Sequence, residues 1–280
     1  METETIIKSG KYKFKIVDKI STYKDIIYVR NIKIGGNYSD CVNISISYSE
    51  DIPISANIPM QVYDAECSLE TPLDRGKGSI IMIKEILKYI KQKIPEITSV
   101  NFEDLSQIEK YSGMKQKDTR VNQFPLYFFS IMFTGVTWYE KHFNARLNLD
   151  TTHTAYRSKV NQLMLMQKPE FIVFLQISSP PLQIMPELQK YYDRHNTYGE
   201  FFTSMPVLER CNLVRDWITS FMRYYIGDVF SNDNWIIPIK DNQLLVGGKR
   251  KSKRTKNNRF NYSIRRYGLN NDIGVDAIDV

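Results

Sequence analysis

The sequence predicts an α+β fold: an N-terminal mixed sheet with packed helices, then a mainly helical half and a disordered basic tail. Three observations lead to this prediction. Apolar side chains alternate at period two in the first part, recur at helical spacing in the second, and give way at the end to cations without acids. With 280 residues, 42% of them hydrophobic, the chain can enclose a substantial core.

The N-terminal sheet is predicted from alternating segments separated by turn-prone Gly, Asn and Ser. Three antiparallel strands are expected at 11–20, 25–34 and 41–48, and a fourth strand at 58–67. A loop at 68–79 leads into a helix from Ile80 to Lys93, which Pro95 ends before a strand at 96–105. A crossover helix makes the two strands that flank it parallel neighbours if both lie in one sheet.

The second half of the chain is predicted to be helical. A polar loop at 111–124 precedes an apolar segment, 125–143, which is expected to form a buried helix interrupted near Gly135. Further helices are expected at 151–167, 170–177, 186–195 and 206–230. The predicted organisation is therefore an α/β domain over 1–145, a helical extension over 146–246 and a basic tail over 247–280.

Positive charge is concentrated in the tail. The formal net charge is +7, but nine Lys and Arg residues and no acid lie between Gly247 and Tyr267, so the rest of the chain carries about −2. A segment so poor in aliphatic side chains is expected to be disordered by itself. It could contact a polyanion such as nucleic acid, act as a nuclear-import signal, or be a solvated tail that aids solubility. The candidate nucleic-acid-binding residues are Lys249, Arg250, Lys251, Lys253, Arg254, Lys256 and Arg259.

Several classes of protein are disfavoured by the remaining composition. The three cysteines contain no CxxC pair and the three histidines stand far apart, so we expect no metal site. The odd cysteine count favours a reducing compartment. No apolar run reaches the roughly 18 residues of a membrane span, and the start lacks the pattern of a signal peptide. We therefore expect a soluble intracellular protein with no membrane partner.

A glycine pair marks the predicted turn between the fourth strand and the first helix. Gly76 and Gly78 bracket Lys77 at a helix start, where unpaired backbone N–H groups and the helix dipole favour an anion such as phosphate. Arg75 and Lys77 would add positive charge. The alternative is plain turn chemistry, since glycine fits many such turns. The GxxxxGK[ST] spacing of a phosphate-binding P-loop is absent.

In its context of strand, loop, helix and strand, this segment resembles the coenzyme A signature [QR]xxGx[GA] of the GCN5-related N-acetyltransferase family. Arg75 matches the first position and Gly78 the fourth, whereas Ile80 stands where that family has Gly or Ala. The resemblance covers residues 11 to about 145. It implies an acetyltransferase-like domain that holds acetyl-CoA through Arg75, Gly76, Lys77, Gly78 and Ser79 and transfers the acetyl group to the amine of a small molecule or a protein.

A second segment, 137–143, resembles the YEKLGF-type helix end of the same family, whose tyrosine often protonates the departing thiolate. Tyr139 is the matching residue, with the alternative that it is a core aromatic. Asp64 and Glu66 are predicted to share one face of the fourth strand. One of them could be the base that accepts the amine proton, or both could be exposed carboxylates on a solvent face. The helical second half departs from the family, which usually closes with two more strands.

The whole chain also resembles an uncharacterised protein group of mimivirus-like giant viruses, in segments such as GVTWYEKHFNAR and GGKRKSKR. That resemblance implies a location in the viral factory of the host cytoplasm or in the virion, and no activity. Two functions remain open. One is acetyl transfer from acetyl-CoA; the other is a non-catalytic virion or factory protein that binds nucleic acid or a viral protein through its tail.

Overall fold

A computed structural model describes residues 1–37, 41–61, 65–74, 76–103, 107–109, 123–227 and 235–239. Its sheet has eight strands in the order β1-β2-β3-β4-β5-β6-β10-β9. These strands are β1 (Glu2–Ser9), β2 (Tyr12–Tyr23), β3 (Ile26–Gly35), β4 (Val42–Ser49), β5 (Ile52–Gln61), β6 (Ser99–Phe102), β9 (Arg146–Leu147) and β10 (Trp235–Pro238). Two more strands, β7 (Gln107–Glu109) and β8 (Gln123–Pro125), pair with each other. The predicted α+β class with a mixed N-terminal sheet is confirmed.

The first five strands form an antiparallel meander. Two of its turns consist of two residues with positive φ, Lys24–Asp25 and Glu50–Asp51, as tight hairpins require. β1 was not among the predicted strands. The strand predicted at 58–67 was misplaced, because β5 ends at Gln61 and the residues 65–67 form a short 3-10 helix.

The predicted crossover is confirmed. Helix α1 (Lys77–Lys93) follows β5 and leads to β6, and β5 and β6 pair in parallel through Asn57 with Asn101 and Ile58 with Phe102. A stripe of apolar side chains on α1, including Ile83, Ile86 and Ile90, is buried against the sheet. The helix therefore lies on the sheet face that carries the alternating apolar residues of β2, β3 and β4.

Helices dominate the second half, as predicted. The interruption at Gly135 is confirmed, since this residue ends α2 in the left-handed conformation with φ 73° before α3 begins. The helices are α2 (Leu126–Thr134), α3 (Trp138–Phe143), α4 (Asp150–Leu165), α5 (Phe171–Ser178), α6 (Met185–Tyr192), α7 (Tyr198–Ser204), α8 (Arg210–Val214) and α9 (Ile218–Ile226). Their core is largely aromatic, with Phe174 in contact with Trp217 and Phe221.

Two strands inside the predicted helical extension were not foreseen. β10 pairs antiparallel with both β6 and β9, so residues 146–147 and 235–238 complete the N-terminal sheet. The long helical insertion lies between them in sequence. Trp235 of β10 is 2% exposed and packs near Phe102 and Tyr156. The chain thus does have two strands after the crossover unit, contrary to the expectation that this part is helical.

Cys41 and Cys67 form a disulfide, a pairing that the odd cysteine count did not predict. Both are buried, and the bond joins the start of β4 to the 3-10 helix that precedes α1. Cys211 is free. Within the described part of the chain, no helix is both long and apolar enough to cross a membrane.

Candidate cofactor site

The start of α1 is the predicted anion site. Gly76 occupies the N-cap position with φ 74°, and no side chain caps the helix. A Cβ at Gly76 would meet nothing within 4 Å, and Lys77 is exposed. The outer side of the helix start is therefore open around Gly76, with the exposed cation Lys77 beside it, at the end of the helix whose dipole favours an anion.

The inner side of the helix start is filled by the chain itself. Gly78 and Ser79 are buried, and a Cβ at Gly78 would lie 2.8 Å from the side chain of Leu73. The Gly78 N–H donates to the carbonyl oxygen of Asp74 at 2.9 Å. Of the predicted cradle, Gly76 and Lys77 thus face open space, whereas Gly78 packs against its own loop.

Asp74 brings a carboxylate next to this helix start. It accepts hydrogen bonds from Lys11 Nζ at 2.7 Å and from the Tyr12 hydroxyl at 2.8 Å. These two hydrogen bonds, the one from Lys11 more than the one from Tyr12, hold the pKa of Asp74 below its usual value. The charge of Lys77 makes a smaller contribution. An incoming phosphate would meet the cations Lys11 and Lys77 together with this ionised carboxylate.

The loop before α1 is held in place by several independent contacts. Ser68 lies so close to Gly36 that a Cβ there would be 2.4 Å from the Ser68 carbonyl carbon. The Leu69 N–H donates to Lys13 O, and the disulfide fixes Cys67. The position of the α1 start relative to β2 and β3 is therefore well defined.

Glu66 does not lie on a strand, so the predicted sheet face that it would share with Asp64 does not exist. Glu66 is exposed in the 3-10 helix Ala65–Cys67. Asp64 and Arg75 lie outside the described residues, as do all seven candidate nucleic-acid-binding cations of the tail, from Lys249 to Arg259. The catalytic-base role of Asp64 and Glu66 has no support from a common strand.

Tyr139 lies where the parallel strands β5 and β6 stop pairing. The last paired residues are Ile58 and Phe102, and β5 continues to Gln61. The ring of Tyr139 packs on that of Phe102 with centroids 4.4 Å apart, and Tyr139 is 2% exposed. The tyrosine is thus both a core aromatic and a neighbour of the point where the two strands part.

Helix α3, which carries Tyr139, is fixed by polar contacts that the sequence analysis missed. Thr137 and Glu140 form a capping box, readable in the sequence as a Thr three residues before a Glu. Glu140 also accepts a hydrogen bond from the Tyr156 hydroxyl at 2.9 Å. The pKa of His142 is lowered to about 4, mainly by burial and to a smaller extent by the charges of Lys141 and Lys84. Its buried Nε2 has no hydrogen-bond partner.

A second polar cluster lies on the face of the sheet that α1 covers. Asp18, 4% exposed, accepts two hydrogen bonds from Arg30, at 2.6 and 2.8 Å, and one from the Tyr89 hydroxyl at 2.9 Å. A cavity of about 190 Å³ lined by Asp18, Arg30, Tyr89 and Lys93 adjoins it. Asp18 lies on the same inward face of β2 as Phe14 and Ile16. A carboxylate at an inward position of a strand is the feature of the sequence that could have predicted this cluster.

The helical half holds a shallower polar cavity of about 500 Å³ beside Lys168. The ammonium of Lys168 lies 3.7 Å from the centre of the Tyr192 ring and donates to the Tyr192 carbonyl oxygen at the end of α6. Its burial lowers the pKa of Lys168. This lysine therefore caps a helix end, which accounts for its position without a ligand.

In the described ranges, no group of three His, Cys, Asp or Glu side chains is placed to hold a metal ion. Comparison with known protein families, curated protein sequences and solved structures found no match to this chain.

Proposed function

We propose that this chain is an acetyltransferase-like protein that binds acetyl-CoA at the start of α1 and transfers the acetyl group to an amine. The observation that carries the proposal is the parallel β5–β6 pair, which is connected through a glycine-bracketed helix start and ends beside Tyr139. The β2 strand at the α1 start and β6 are four strand spacings apart, roughly 19 Å. A long cofactor could span that distance.

The residues present fit a phosphate on the outer side of the helix start. Gly76 leaves room for close approach and Lys77 supplies positive charge, whereas the charge of Lys11 is paired with that of Asp74. When bound, acetyl-CoA supplies an activated acetyl group as a thioester. Tyr139 would donate a proton to the sulfur as the carbon–sulfur bond of the thioester breaks. A base would take a proton from the amine nitrogen, which forms the new bond to the acetyl carbon.

Calorimetry with acetyl-CoA on the full chain tests the binding step. Reversing the charge of exposed Lys77, as Lys77→Glu, should weaken binding at least tenfold because a carboxylate there repels phosphate. The matched control is Lys88→Glu, half exposed further along the same helix, which should bind as the unaltered chain does. If the chain binds no acetyl-CoA up to millimolar concentration, the proposal fails.

Tyr139→Phe tests the chemical step separately. It keeps the ring against Phe102 and should leave acetyl-CoA affinity unchanged, while the rate of amine acetylation falls about a hundredfold or more. Binding with an unchanged rate would remove Tyr139 from the mechanism and leave the cofactor site standing.

A second candidate function is favoured by the filled inner side of the helix start. Gly78 gives its N–H to Asp74, Leu73 packs on it, and an ionised carboxylate stands beside it. These features suit a non-catalytic virion or viral-factory protein that contacts nucleic acid or a viral protein through the basic tail. Truncation after Val246 should then weaken DNA binding and flatten its dependence on salt. Equal heparin retention of the full and truncated chains would contradict it.

A further inference from the structure

The outer edge of β1 is an unpaired strand edge within the described part of the chain. β1 forms one end of the eight-stranded sheet, and its eight residues pair only with β2. Met1 and Ile20 exchange two backbone hydrogen bonds, at 2.8 and 3.0 Å, which identifies them as a hydrogen-bonded pair. Because such pairs alternate along an antiparallel ladder, the backbone groups of Glu2, Glu4, Ile6 and Lys8 point away from β2.

The side chains of this edge have the charge pattern of a self-complementary strand. Acids occupy its beginning, Glu2 and Glu4, and a base its end, Lys8. Ile6, between them, is 59% exposed. All four point to the sheet face opposite α1, because Thr3, Thr5 and Ile7 pair with the inward residues of β2.

We propose that β1 is a self-association edge: two copies of the chain pair their β1 strands antiparallel about a two-fold axis at Thr5. In this register Glu2 lies opposite Lys8 of the second copy, and Glu4 lies opposite Ile6 of the second copy. Both pairs join residues whose N–H and C=O point outward, so four hydrogen-bonded pairs, roughly eight hydrogen bonds, extend the sheet. The two Ile6 side chains become diagonal neighbours.

A shift by one residue opposes outward backbone groups with groups already bonded to β2. A shift by two that moves the axis to Ile6 replaces the Glu2–Lys8 pairs by Glu4–Lys8 pairs, and one that moves the axis to Glu4 opposes the two Glu4 side chains; either leaves three hydrogen-bonded pairs instead of four. Charges on an edge strand can also serve only to prevent pairing. The two roles can be distinguished, because only self-association depends on which end of β1 carries the acids and which end carries the base.

Sedimentation equilibrium of the full chain over a range of concentrations tests the proposal. We expect a concentration-dependent rise from the 32.9 kDa chain mass to twice that value. Lys8→Glu, which faces Glu2 of the second copy with a like charge, should raise the dissociation constant at least tenfold. The exchange Glu2→Lys with Lys8→Glu restores the opposite charges and should return it to the original value.

A backbone variant provides an independent test. Ile6→Pro removes an N–H that points away from β2, so the β1–β2 ladder and the melting temperature should be kept while the dimer is lost. A chain that stays monomeric at every concentration overturns the proposal. So does a dimer that Ile6→Pro and Lys8→Glu leave unchanged, or a failure of the charge exchange to restore association in a chain with an unaltered circular dichroism spectrum.

Discussion

At the residue scale, Asp18 is a buried charge whose partners are all in the structure. Arg30 and Tyr89 donate hydrogen bonds to its carboxylate, and the bonds that Arg30 donates to Asp18 raise the pKa of Arg30. Asp18→Ala would leave the partly buried Arg30 guanidinium without its main partner. We expect it to lower the free energy of unfolding by about 3 kcal/mol or more in urea denaturation.

Tyr89→Phe is the control for this network. It removes one hydrogen bond to Asp18 and leaves the ion pair, so we expect a loss of about 1 kcal/mol. Equal losses in the two variants would mean that the Arg30 pairing contributes nothing measurable, contrary to this account.

His142 makes stability depend on pH. Burial lowers its pKa in the folded chain from 6.5 to about 4, so the unfolded chain binds the proton more readily between these values. Its contribution to stability is complete above pH 6.5 and is lost as the pH falls toward 4. His142→Leu should reduce this loss of stability, measured as urea midpoints at pH 7 and pH 5. An unchanged pH dependence would show that His142 protonates equally in both states.

Gly36 and Gly10 illustrate two structural requirements for glycine, a close approach of backbones and a positive φ. At Gly36 a Cβ would clash with the backbone of Ser68, whereas Gly10 has φ +59° and open space around it. Gly36→Ala should displace the loop before α1 and cost several times the roughly 1 kcal/mol expected for Gly10→Ala. Thermal melts of the two variants provide the comparison, and equal shifts would contradict the close approach.

At the scale of elements, the disulfide joins two segments that the sequence separates by 26 residues. A cross-link of this span restricts the unfolded chain and should contribute roughly 3 kcal/mol. The double variant Cys41→Ser, Cys67→Ser should unfold at lower urea concentration than the oxidised chain. A reductant should lower the midpoint of the unaltered chain only. If the reductant lowers the urea midpoint of the unaltered chain and of the double variant equally, the disulfide does not form in solution.

The sequence predicted the elements that have one buried face. Strands β2, β3 and β4 and helix α1 show clear periodicity because their inward residues are apolar. β1 has no such signal, since its residues from Glu2 to Ile6 are exposed on both faces. β9 and β10 are short, and they are strands only because distant parts of the chain pair with them. Such long-range pairing leaves no local pattern.

The candidate site was predictable to a similar degree. The glycine pair stands at a helix start, as the local pattern indicated. Tyr139 was singled out by the family resemblance alone, and its place beside the end of the parallel strand pair depends on tertiary contacts. Glu66 was misplaced because a strand of alternating residues was extended past Gln61 into the 3-10 helix. The carboxylate of Asp74 at the helix start depends on Lys11 and Tyr12, some 60 residues away in sequence, which no local pattern reveals.

At the scale of the whole molecule, one sheet joins the two halves of the chain. The helical insertion leaves the sheet after β9 and returns to it at β10, which pairs with β6 beside the proposed acetyl site. Ligand binding between α1 and Tyr139 should therefore protect the sheet centre from hydrogen exchange, and not the helix ends around Lys168.

Hydrogen–deuterium exchange of the full chain with and without acetyl-CoA tests this account most directly. Binding at the proposed site should slow the exchange of residues 76–80, and of residues 57–61 and 102–103 beside the β5–β6 pair. The protection of residues 76–80 should be lost in Lys77→Glu. Unchanged exchange at saturating acetyl-CoA, or protection confined to other parts of the chain, would contradict the placement of the cofactor at the start of α1.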